Sequence, residues 1–62
     1  MTPAAFRAAR LALGMYQTDL ALAFDVTSTT ISNIERGEAV PRIYWLAMIG
    51  LAYERGALPL RP

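Results

Sequence analysis

The sequence predicts an all-α domain of four short helices. Apolar residues recur at helical spacing in four segments. Each segment is bounded by residues that start or stop helices, and the connections between segments are too short to hold strands.

Thr2 and Pro3 form the first start signal: a hydroxyl that accepts from an unpaired N–H, then a proline where the missing donor costs nothing. The helix that follows, Ala4 to Leu13, sets Phe6, Ala9 and Leu13 on one stripe, and Gly14 stands where a helix end favours a left-handed residue. A second helix is expected over Gln17 to Phe24, with Leu20, Ala21 and Phe24 on a shared face and Asp19 near the positive end of the dipole. Asp25, Val26 and Thr27 allow only a tight turn, and Asp tolerates left-handed backbone better than most residues. Thr27 then caps a third helix, Ser28 to Arg36, closed by Gly37. Ile31 and Ile34 point one way from it; Ser28, Thr29, Ser32 and Asn33 point the other.

Glu38 to Pro41 reads as a loop, and a fourth helix runs from Arg42 to about Glu54. Leu46, Ile49 and Tyr53 are spaced to face the core, but Ile43, Tyr44, Trp45, Met48 and Leu51 are apolar too. One helix cannot turn every face inward. We expect Leu46 and Ile49 to pack inside, with a dimer interface drawn from Tyr44, Trp45, Met48 and Leu51. Gly56 and Pro59 mark an irregular tail over 55–62, whose Ala57-Leu58-Pro59-Leu60 run is expected to cover the same surface. The whole chain, 1–62, reads as one domain.

A chain of 62 residues buries only ~60% of the surface its unfolded form exposes, so packing must be efficient or a partner must help. The absence of Cys excludes disulfides and thiolate metal sites, and the absence of His removes the usual zinc ligand and the usual general base. Asp19, Asp25, Glu35, Glu38 and Glu54 are scattered and lack partners for acid–base work. We therefore expect no enzyme activity, no cofactor and no metal. No apolar run reaches the ~18 residues of a membrane span, and the N-terminus lacks the order of a signal peptide. A cytoplasmic protein without membrane contact is expected. The net charge is only +1, but every basic residue is Arg, whose fork suits phosphate oxygens and guanine edges.

Gln17 to Ile34 is the most informative stretch. Two short helices joined by three residues need a small side chain at their crossing, here Ala21, with Val26, Ile31 and Ile34 behind it. The outward face of the second of these helices carries short, uncharged hydroxyls and an amide, which is the chemistry of a major-groove reader. Leu13-Gly14-Met15-Tyr16-Gln17-Thr18-Asp19-Leu20-Ala21, Val26-Thr27, Thr30-Ile31-Ser32 and Ile34-Glu35-Arg36-Gly37, with Pro41 beyond, resemble the lambdoid phage repressor/Cro (Xre) helix-turn-helix family. The resemblance covers roughly residues 3 to 53. It implies a compact lambda-repressor-like domain of four helices, or five, with the helix-turn-helix at helices 2 and 3.

That resemblance implies base contacts from Ser28, Thr29, Asn33 and Ser32. It implies DNA-backbone contacts from Gln17, Thr27, Arg36 and Arg42, and from Tyr16 lying along the phosphates. Arg10 and Glu35 match a family pair that forms a partly buried salt bridge between the first and third helices. The chain departs from the family pattern at Asp25, where Gly is usual, and at Tyr16, a poor N-cap. The function implied is a sequence-specific transcriptional regulator: a homodimeric repressor on a near-palindromic double-stranded operator, of phage or mobile-element type. The alternative is an antitoxin-type module that binds a toxin protein through the fourth helix and tail.

Overall fold

A computed structural model describes residues 1–56, so the expected packing of Ala57-Leu58-Pro59-Leu60 lies outside the described residues. Four helices follow one another: α1 (Pro3–Ala12), α2 (Gln17–Phe24), α3 (Ser28–Arg36) and α4 (Arg42–Glu54). There is no strand among the described residues. The fold is all-α among the described residues, with α2 and α3 joined by a three-residue turn.

The helix ends follow local chemistry. The Thr2 hydroxyl accepts from the Ala5 N–H at 3.1 Å and Pro3 occupies the first turn. At the other end of α1, Gly14 adopts φ +70°. Its N–H donates to the Leu11 carbonyl, and that of Met15 reaches back to Arg10, a double closure that only a left-handed residue permits. Asp25 repeats this device after α2 at φ 58°, ψ 44°, with the Val26 N–H reaching the Ala21 carbonyl at 2.9 Å. The side chain of Thr27 caps α3 by accepting from the Thr30 N–H at 3.2 Å. Gly37 ends α3 in extended rather than left-handed backbone. A Cβ there would stand 3.2 Å from the Asn33 carbonyl oxygen, a tight contact that the glycine avoids.

The core is built where all four helices meet. Phe6, Leu20, Ile31 and Met48 are its largest fully buried side chains, and Met15, Ala21, Ile34, Val40 and Ala52 complete it. Ala21 of α2 and Ile31 of α3 are both buried in this core, and a side chain as small as Ala21 suits two helices packed against each other. Burial of a side chain the size of Leu or Ile contributes ~1.5–3 kcal/mol, so these few residues carry much of the stability of so small a domain.

The expected division of α4 is corrected. Met48, assigned to a dimer interface, is 0% exposed and stands at the centre of the core. Tyr44, Trp45 and Leu51, also assigned to an interface, are half-buried and pack against that core. Leu46 and Tyr53, expected inside, are exposed, and Ile49 is half-buried. The inward stripe is 44, 45, 48, 51 and 52, and buried Ala52 gives its register. The opposite face carries Ile43, 72% exposed, Leu46, Gly50 and Tyr53. No helix among the described residues is long and apolar enough to cross a membrane.

Candidate nucleic-acid interface

The turn between α2 and α3 sets the site. Left-handed Asp25 reverses the chain within three residues, Ile31 and Ile34 bury one side of α3, and the other side is left outward. Thr29 and Asn33 are exposed on that side, with Ser28 and Ser32 half-buried beside them. No charge stands among these four side chains, and their hydroxyls and amide supply both donors and acceptors. Thr27 is exposed at the start of the same helix, where its hydroxyl lies 3.0 Å from that of Thr30.

Behind this surface a polar cluster ties three helices together. The Arg10 Nε–H donates to Glu35 Oε2 at 2.7 Å, and Nη2 donates to Oε1 at 3.0 Å. Arg10 Nη1 donates to the Met15 carbonyl at 2.9 Å, which fixes the connection between α1 and α2. The Gln17 side-chain amide donates to the same Glu35 Oε1 at 3.1 Å. The side chains of Arg10 and Glu35 are only 7% and 4% exposed. No side-chain nitrogen or oxygen that is buried among the described residues lacks a hydrogen-bond partner.

Burial by itself pushes the Glu35 carboxyl up. The hydrogen bonds from Arg10 and Gln17, with the positive charges of Arg10 and Arg7, outweigh burial and hold it below the ordinary carboxylate value. The bond to Glu35 raises the Arg10 value against the opposing effect of burial. Both groups are therefore fully ionised at neutral pH.

The cations next to α3 are oriented rather than loose. Arg36, exposed in its last turn, donates from Nη2 to Asn33 Oδ1 at 2.8 Å. Arg42, exposed at the start of α4, holds its guanidinium carbon 4.9 Å from the centre of the Trp45 ring. Such stacking is worth ~0.5–1 kcal/mol at an exposed site and leaves the guanidinium edge free to donate. Tyr16 is 78% exposed before α2 and gives that helix no side-chain cap. The Asp19 carboxylate supplies the reverse bond, accepting from the Tyr16 N–H at 2.8 Å.

Tyr16, Gln17, Ser28, Thr29, Ser32, Asn33 and Arg36 all belong to the helix-turn-helix or its immediate edge, and Arg42 lies one loop beyond. Sequence reasoning missed three partnerships: Gln17 with Glu35, Asn33 with Arg36, and Arg42 with Trp45. The last two are three residues apart on one helix, a spacing that brings side chains together and was readable in advance. The first joins residues 17 and 35, which only the folded chain brings together.

A family model described as helix-turn-helix matches residues 6–44, more than half of the chain. The match runs from Phe6 in α1 to Tyr44 in α4 and spans the whole polar cluster and the outward face of α3. Neither the curated proteins nor the solved structures provide a match.

Proposed function

The chain belongs to the lambdoid phage repressor/Cro (Xre) helix-turn-helix family of DNA-binding regulators, and from that premise we propose that it is a dimeric repressor that reads the major groove with α3. The observation that carries this reading is the uncharged polar face of α3, held outward while its apolar side is locked against α1 and α2. Ser28, Thr29, Asn33 and Ser32 contact base edges, and Gln17, Thr27, Arg36, Arg42 and Tyr16 contact the DNA backbone. Gln17 serves in two ways, since its amide nitrogen is already bonded to Glu35 and its oxygen and backbone N–H remain. Arg10 and Glu35 hold the fold. Repression follows from occupancy: a bound protein covers the DNA that a polymerase needs.

One α3 offers few base contacts, so two copies on a near-palindrome supply the required affinity. The exposed stripe of Ile43, Leu46 and Tyr53 is the apolar surface a second copy would bury, and Gly50 among them lets a facing helix approach closely. The same stripe favours a second reading, an antitoxin whose α4 binds a toxin protein.

Selection from a pool of randomised duplexes tests the proposal. The expected result is enrichment of two related half-sites about one helical turn apart. Enrichment of no sequence would overturn it, and co-purification with the product of a neighbouring gene would move the assignment to the antitoxin reading.

A further inference from the structure

Two residues of the reading face are chemically coupled, and the coupling bears on which base is read. The Arg36 guanidinium donates to Asn33 Oδ1 at 2.8 Å, and both side chains are exposed. Arginine has donors and no acceptor, so the Asn33 atom that faces it is fixed as the oxygen. The amide nitrogen of Asn33, with its two N–H groups, is then the end turned away from the cation, while the oxygen keeps a second lone pair beside the positive charge.

An asparagine reads adenine by using both ends at once: its oxygen accepts from the adenine amino group while its nitrogen donates to N7. In this protein one lone pair of that oxygen is engaged by a cation, whose charge opposes the approach of a second donor. The charge beside it also repels the amino donors that adenine and cytosine present in the major groove, and attracts the acceptors N7 and O6 of guanine. Asn33 thus offers donors to an edge that holds only acceptors.

We propose that Arg36 is a specificity-determining positioning residue, which turns Asn33 from a reader of adenine into a reader of guanine. The inference rests on the reading of α3 as the base-contacting helix. The other guanidinium nitrogens of Arg36 stay free for a phosphate, so one side chain both anchors the backbone and sets the neighbouring amide.

The test is operator selection with the wild-type chain, N33A, R36A and R36K, followed by titration against duplexes that differ only at the base pair whose preference N33A relaxes. Both residues are exposed, so the variants fold. The wild type is expected to select guanine there. R36A is expected to shift that position toward adenine by about tenfold relative to guanine, with preferences elsewhere unchanged. R36K keeps a charged donor and should keep guanine. A wild type that selects adenine, or an R36A that weakens all duplexes equally without changing base preference, would overturn the inference while leaving DNA reading intact. An N33A variant that relaxes no position would also overturn it. A wild type that enriches no duplex would overturn the DNA reading and this inference with it.

Discussion

Arg10 on α1 and Glu35 on α3 meet through two parallel hydrogen bonds of 2.7 and 3.0 Å, almost out of contact with water. This pair sits behind the outward face of α3 and shares Glu35 with Gln17 of α2, so the placement of α3 against α1 and α2 is tied to the ion pair. Breaking a buried pair leaves one uncompensated charge, at a cost of ~3–5 kcal/mol. A domain of this size holds only ~3–9 kcal/mol in total. R10M is therefore expected to lose a large share of its stability, with a urea midpoint at 25 °C far below that of the wild type. R10M/E35L, which removes both charges, is expected to fold within ~1–2 kcal/mol of the wild type.

The same pair sets an acid limit. Glu35 holds its carboxyl below the ordinary value when folded, so the folded state binds fewer protons than the unfolded one as pH falls. Its contribution is full above the ordinary carboxylate range near ~4.3 and is lost as pH drops through the lowered folded value. Thermal melts from pH 7 to pH 3 should show the wild type losing Tm more steeply than R10M/E35L at the acid end. Parallel curves for the two proteins would contradict the assignment.

Tyr16 separates stability from function. It occupies the N-cap of α2 without a side-chain cap, and a serine there supplies the missing acceptor. Y16S is expected to raise stability by ~0.5–1 kcal/mol in urea denaturation. If Tyr16 lies along the phosphates, the same variant loses affinity for the operator in an anisotropy titration. Opposite signs in the two measurements are the expected result; unchanged affinity removes Tyr16 from the interface.

The two faces of α4 give a third contrast. M48A removes a fully buried side chain and is expected to cost ~2–5 kcal/mol. I43E, on the exposed face, should leave a dilute, monomeric sample within ~0.5 kcal/mol of the wild type. Light scattering after size exclusion should show a wild-type dimer and an I43E monomer.

Salt dependence reports how few charges are involved. With Arg36 and Arg42 as the phosphate-neutralising side chains of each protomer, a dimer is expected to show a slope of about −3.6 in log K against log salt. A slope of about −7 would mean that further cations, such as Arg7 and Arg55, lie against the backbone.

Much of this fold was legible because local signals agreed. Thr2-Pro3, Gly14, Asp25 and Thr27 each perform at a helix end the task their chemistry suggests. The inward face of α3 was readable from Ile31 and Ile34, because polar residues mark its other side. Phe6, Leu20 and Ala21 were placed by spacing alone, since α1 and α2 also carry the exposed Leu11 and Leu22. α4 offered no such contrast: apolar residues surround it, so periodicity could not distinguish Met48 from Leu46. Met15 and Val40 lie in connections outside any helical stripe, and tertiary packing alone makes them core. The outward polar face of α3 was legible, and the i,i+3 spacing of Asn33 with Arg36 and of Arg42 with Trp45 was readable too. The bond from Gln17 to Glu35 joins residues that only the folded chain brings together.

The most direct test of the central claim is a two-dimensional amide NMR titration of the labelled protein with its enriched duplex and with a scrambled duplex of equal length. The account predicts that the enriched duplex shifts signals from Gln17, the segment 27–33 and the Arg36 to Arg42 stretch, and that the scrambled duplex shifts them weakly and in fast exchange. Equal responses to the two duplexes, or changes confined to the outward face of α4, would contradict the reading of α3 as the helix that recognises DNA.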